Sequence, residues 1–398
     1  MGEIAVATLY SGHMPATTQR SSPRTRTRDD LYDLIRTSDG LTRAELVDAT
    51  GLSRSTVNSA VVRLLDAGRV VESDLEEKGP GSGSGRPATR LRVAPKSSHV
   101  AGVDFGHSHI YVALADASGE PVGEQRIELD VDLDAAGAMD VAADLLARLQ
   151  REHDVERVSQ LVAGIPGPLD TLTGLVRSPT ILSSWVGLSP ADELTRRTGV
   201  PVVVENDAVL GAYGELRRGA GRHYEHFLYV KASHGIGASI VIGRAPFRGS
   251  TGLAGEIGHT RLPGHTEMCR CGNRGCLEAV LSVETVREQI RHAHPGAAEE
   301  DLRVGRVDDP VTRRILDEAG RTLGGVLADL CNLLNPEAVV VGGELGLYGA
   351  PLLEGIRAAV DRHAQPATAA ALEVVAAELG TSAELVGALQ TAATAAAR

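Results

Sequence analysis

The apolar positions of this chain change period near residue 95. Before that point they recur at helical spacing. Leu31, Leu34 and Ile35 make one stripe, which Asp39-Gly40 ends. Thr42, with Glu45 three residues on, predicts a capping box ahead of Leu46 and Val47. After a tight turn at Gly51, Ser53 opens a third helix in which Val57, Ala60, Val61, Leu64 and Leu65 share a face. Arg54, Ser55, Thr56, Asn58 and Arg63 fall off that face. Two β-prone segments follow, RVVES (69–73) and TRLRV (89–93), joined by a polar, glycine-rich loop with Arg86 at its tip, GSGRP (83–87). Three capped helices and a two-stranded hairpin predict a winged helix-turn-helix over residues 29–94. In such a unit the third helix meets the major groove through its N-terminal residues. Arg86 reads equally well as a minor-groove contact or as a linker residue.

Beyond residue 95 the period shortens to that of strands. HVAGVDFG, HIYVALADASG and EPVGEQRIEL predict three strands, followed by a helix (about 134–153), the strand SQLVAGIPG, a second helix and the strand PVVVEND. The pattern then begins again: HFLYVKAS, GIGASIVIG and APFRG, a long helix around 308–335, the strand AVVVGG (338–343), another helix, LEVVAAEL (372–379) and a closing helix. Two tandem βββαβα runs imply an α/β body over 95–398, a duplicated ribonuclease H-like fold of the actin and sugar-kinase kind, with a ligand cleft between two lobes.

Charge sharpens this division. The chain carries −12 overall, but residues 1–95 hold 13 basic and 12 acidic side chains, so the deficit lies entirely in the body. Only the first quarter tolerates a polyanion. Residues 1–28 are expected to be a basic, disordered tail; RSSPRTRTR (20–28) within them is either solvated chain or a phosphate-contacting arm. No apolar run is long enough to span a membrane and no secretory leader is evident, so a cytoplasmic protein is expected. Lysine is nearly absent: Lys78, Lys96 and Lys231 are the only three. Three of four cysteines crowd into MCRCGNRGCLE (268–278), where a disulfide, a redox centre and a metal site are the candidates; Cys331 reads as a core thiol.

The motifs VENDA, GEIGH, CRCGNRGCLE, GIGAS and VVVGGE, in that order after a helix-turn-helix, resemble the ROK family of sugar kinases and sugar-responsive repressors over about residues 29–398. The resemblance implies that His259, Cys269, Cys271 and Cys276 hold a structural Zn2+, one imidazole and three thiolates suiting a tetrahedral site. It further implies sugar contacts from Asn206, Asp207, Glu256, His259 and Glu278, whose amide and carboxylates match paired hydroxyls. Thr180 stands where family kinases carry an asparagine. Asp207 matches the kinase base, but the phosphate loop reads DFGHSH (104–109), with His107 for a glycine and His109 for a lysine, and Glu344 brings negative charge to the nucleotide side. These departures imply loss of kinase activity. The expected protein is a regulator, a repressor of carbohydrate genes, with operator DNA and a sugar as partners, acting as a homodimer or homotetramer. The alternatives are a bifunctional hexose kinase that also binds DNA, and a regulator answering to a partner protein.

Overall fold

The computed structural model describes residues 23–36, 38, 40–66, 70–73, 89–93, 99–177, 182–296, 298 and 309–397. The chain divides into two compact units, 1–96 and 97–398.

The first unit holds helices α1 (Pro23–Arg36), α2 (Arg43–Thr50) and α3 (Arg54–Asp66), with strands β1 (Leu41–Thr42), β2 (Val70–Ser73) and β3 (Arg90–Val93) in the antiparallel order β1-β3-β2. The capping box forms as read: Thr42 Oγ1 accepts from Glu45 N at 3.2 Å, and Thr42 N donates back to Glu45 Oε2 at 2.7 Å. Gly51 closes α2 in the left-handed conformation at φ 65°. Leu31, Ile35, Leu46, Val57, Val61, Leu64 and Leu91 form its core. One boundary differs from expectation. Helix α1 starts at Pro23, inside the stretch expected to be tail, because proline's fixed φ suits the first helical turn.

The second unit repeats one motif. Strands β4 (His99–Phe105), β5 (His109–Ala115) and β6 (Pro121–Glu128) lead into α4 (Ala135–Glu152). Then come β7 (Val158–Ile165), the short pair β8 (Leu169–Asp170) and β9 (Leu175–Val176), α5 (Pro190–Thr198) and β10 (Val202–Asn206). Helix α6 (Asp207–Arg218) crosses to the second half, which contains β11 (Phe227–Ala232), β12 (Ile236–Ile242) and β13 (Ala245–Phe247). Short helices α7 (Leu277–Val280) and α8 (Val283–Ala293) precede α9 (Pro310–Leu334), β14 (Ala338–Gly342), α10 (Gly343–Gly346), α11 (Ala350–His363), α12 (Pro366–Ala371), β15 (Glu373–Ala376) and α13 (Ala383–Ala396). The sheets run β10-β7-β4-β5-β6 and β13-β12-β11-β14-β15, each an antiparallel meander followed by two parallel strands. The tandem repeat read from the periodicity is therefore present, strand for strand.

Both faces of each sheet are covered. Helices α4 and α5 bury one face of the first sheet, and α8, α9 and α11 one face of the second. The remaining faces are covered crosswise. Leu385, Ala388 and Leu389 of α13 pack on Val100, Ala113 and Val162 of the first sheet, while Ala212 and Leu216 of α6 pack on Phe227, Tyr229 and Val340 of the second. The two exchanged helices also touch one another through glycine. A Cβ on Gly387 would lie 1.9 Å from Leu210 O, and one on Gly214 would lie 2.2 Å from Ala383 O, so no side chain fits at either place.

Candidate functional site

The strands β4 and β11 are equivalents, and each carries a charged residue one position before its end: Asp104 and Lys231. The helices α6 and α13 are equivalents too, and each carries a carboxylate in its first turn, Asp207 and Glu384. These four meet at the floor of a cleft of about 370 Å3 between the sheets. Lys231 Nζ donates to Asp207 Oδ2 at 2.7 Å and lies 3.6 Å from Glu384 Oε1. Asp104, 2% exposed, accepts from or shares a proton with His109 Nε2 at 3.0 Å. Burial alone would lower the lysine's pKa, but the facing carboxylates Asp207, Glu384 and Asp104 reverse that and hold the ammonium charged. Burial pushes Glu384 up to about 7, opposed by Lys231 and reinforced by Asp104 and Asp207. The ion pairs of Lys231 are invisible to local pattern. The one signal was its rarity, a lysine inside an apolar strand of a chain that has three.

The residues expected to meet a sugar line this cleft: Asn206, Asp207, Glu256, His259 and Glu278. Asn206 also caps α6. Its Oδ1 accepts from Val209 N at 3.2 Å, and its Nδ2 donates to Gly167 O at 3.2 Å. Asp207 shares its two oxygens between Ala208 N and Lys231. The loop DFGHSH (104–109) is filled by its own side chains. A Cβ on Gly106 would fall 2.1 Å from the His109 ring, which lies directly over that backbone. His107 is held by Asp132 at 2.7 Å and faces His234, on the equivalent loop of the other half, with ring centroids 6.0 Å apart. Glu344 pairs with Arg287. Thr180 and Arg86 lie outside the described residues.

At the cleft wall, His259, Cys269, Cys271 and Cys276 bring one nitrogen and three sulfurs within 4.8 Å of one another. Cys271 and Cys276 sulfurs are 3.7 Å apart, and Cys269 Sγ is 3.7 Å from His259 Nδ1. Those spacings are too long for a disulfide, and all four cysteines are free. They match a tetrahedron with metal–sulfur bonds of about 2.3 Å, whose sulfurs stand about 3.8 Å apart. The cluster can hold a metal ion. His259 turns Nδ1 to the sulfurs and Nε2 toward Glu256, 3.7 Å away, on the cleft side. Cys331 is a buried core thiol, pushed up to about 11 by burial.

In the first unit, Arg54, Ser55, Thr56, Asn58 and Arg63 are all exposed along α3. Ser53 Oγ accepts from Thr56 N at 3.2 Å and bonds both the Ser55 and Thr56 hydroxyls, fixing the start of that helix. No helix among the described residues is long and apolar enough to cross a membrane.

Comparison with known proteins agrees with this geometry. A xylose repressor from Bacillus spizizenii is 28% identical over 365 residues, 90% of this chain and 92% of that one. A glucokinase of the ROK family from Streptomyces griseus, solved with glucose and AMPPNP, is 30% identical, covers 75% of this chain and 100% of its own, and superposes with a TM-score of 0.64. The solved ROK family transcriptional regulator described as a homologue of the Escherichia coli Mlc protein superposes with a TM-score of 0.76, at 22% identity, over 94% of this chain and 96% of that one. The ROK family model itself matches residues 100–395, nearly the whole of the duplicated body, and the chain belongs to the ROK family.

Proposed function

We propose that the protein is a sugar-responsive DNA-binding repressor whose kinase-like body binds its effector without phosphorylating it. The observation that carries this reading is the filled phosphate loop: the His109 ring covers Gly106 and bonds Asp104, while Lys231 occupies an oxygen of Asp207. Phosphoryl transfer depends on seating a phosphate against backbone and on an available base. Here Gly106 N bonds His109 O beneath the His109 ring, and Asp207 is engaged by Lys231. The repressor relatives, similar over nine-tenths of the chain, support the same reading.

The first unit is then a winged helix-turn-helix over 29–94. Arg54, Ser55, Thr56, Asn58 and Arg63 would face operator DNA, and Arg86 would face the minor groove. A homodimer or homotetramer would match a two-fold operator. The His259–Cys269–Cys271–Cys276 cluster suits Zn2+, which would brace the loop carrying His259 and Glu278; Asn206, Asp207, Glu256, His259 and Glu278 would bind sugar hydroxyls. A sugar that binds one lobe arrangement better than another shifts the population of operator-competent molecules.

The glucokinase likeness favours one other reading, a bifunctional hexose kinase, since Asp207 is retained. A single pair of measurements separates them. Operator fragments selected from genomic DNA are titrated with protein and sugars, and a coupled assay follows ADP release with ATP and a hexose panel. Sugar-dependent release of DNA with no turnover is the expected outcome. Turnover with any hexose overturns the non-catalytic reading.

A further inference from the structure

The cleft does not end at the compartment that holds the sugar contacts. A second compartment of about 770 Å3 adjoins it, and His107, Glu128, His234, Gly235, Glu278 and Glu284 line both. Its outer walls come from opposite halves of the body: Leu129, Asp130 and Asp132, just after β6, and Met268 and Arg270 of the metal-cluster loop. Met268 is 61% exposed although apolar. Arg270 reaches across to Asp132 Oδ2 at 3.6 Å, so the two walls touch at this point of a half-open compartment. Small-molecule pockets run from about 300 to about 1,000 Å3, so the inner compartment alone lies at the small end and the outer one adds room for a further ring.

The lining has the chemistry of a second sugar subsite. Carboxylates accept from hydroxyls, while the Met268 thioether and the Leu129 side chain offer apolar contact to the C–H face of a ring. Charge narrows the class. Across the two compartments ten Asp and Glu side chains stand against four Lys and Arg. All four of those cations, Lys231, Arg287, Arg270 and Arg126, already lie against carboxylates. A phosphate or carboxylate on the ligand would meet uncompensated negative charge in a partly desolvated cleft.

We infer that the effector is a di- or oligosaccharide without an anionic group, one ring in the inner compartment and the next between Asp132 and Met268. This rests on the sugar-responsive reading and names the sugar class for it.

The test uses the full chain in calorimetric titrations with neutral monosaccharides, disaccharides built from the same units, and a hexose 6-phosphate. Wild type is compared with Asp132→Asn and Met268→Ser. A disaccharide should bind at least about tenfold tighter than its own monosaccharide unit, about one net hydrogen bond. The phosphorylated sugar should bind more weakly than its parent. Met268→Ser, on an exposed side chain, should lower disaccharide affinity and leave monosaccharide affinity unchanged. Asp132→Asn, which also loosens His107 at the inner compartment, should lower disaccharide affinity more than monosaccharide affinity. A monosaccharide that binds as tightly as its disaccharides overturns the inference and leaves the repressor reading standing. So does an equal loss of both affinities in both variants. If no sugar binds and none releases operator DNA, the sugar-responsive reading fails and takes this inference with it.

Discussion

The two halves of the body share a strand order, and two of their differences shape the cleft. At the penultimate position of the first meander strand, one half carries Asp104 and the other Lys231. Between the third strand and the long helix, the first half spends residues 129–134, while the second spends residues 248–309 and builds into them the cysteine cluster, Glu256, His259 and Glu278. Duplication conserved the hydrogen-bonded frame, where every residue is constrained from both faces. Divergence went into a strand end and a connection, which bear function at little cost to packing.

That contrast can be broken at several points. Cys276 is buried, and Cys276→Ser removes a ligand from the expanded connection. The expected result is loss of bound zinc by elemental analysis and a stability loss of about 4 kcal/mol or more, with sugar response lost as well; a stable, responsive, metal-free variant would contradict the structural-zinc reading. Lys231→Met erases the charge asymmetry and leaves Asp104, Asp207 and Glu384 facing one another. Breaking such a buried pair costs about 3–5 kcal/mol, measured by urea denaturation, and adding Glu384→Gln should recover part of it. Gly387→Ala wedges the exchanged helices apart for about 1–3 kcal/mol.

A pH series sharpens the comparison further. Glu384 has its folded pKa raised to about 7, so its neutral form is the one the fold favours. Stability from this group is complete below the unfolded value near 4.5 and is lost as pH rises toward 7. Glu384→Gln should therefore gain on wild type between pH 5 and 7 in thermal melts; a difference that stays constant with pH would refute the assignment. Smallest is Thr42→Ala, about 1 kcal/mol for a lost cap, confined to the melting of the first unit.

Much of this was legible from local pattern because its causes are local. Thr42 and Glu45 announce a cap that depends only on each other. The crowding of three cysteines into one loop left disulfide, redox centre and metal site open. It was the family resemblance that joined His259 to them as a metal-ligand set, and the four ligand atoms do lie together. Helix α6 was not legible. Its residues Ala208, Val209, Leu210, Ala212 and Leu216 are buried around most of the circumference, so it has no polar face to set a period, and its start at Asp207 merges with the preceding strand. The pairing of Lys231 with Glu384 joins residues 153 positions apart through a topology that no single segment encodes. The first unit's short strand β1 is defined by its pairing with β3, which likewise leaves no local trace.

The crosswise covering of the two sheets has a consequence for how the protein is made. The ribosome releases the first sheet early, yet the helix that shields its second face, α13, is translated only after the entire second sheet. Until then Val100, Ala113 and Val162 have only Leu210 of α6 from the earlier chain to pack against, and such exposed apolar strands are where nascent chains associate or recruit chaperones. A nonsense mutation ahead of Ala383 would thus strip the opposite half of its roof, so loss of a short terminal stretch should destroy the whole cleft rather than trim one edge of it.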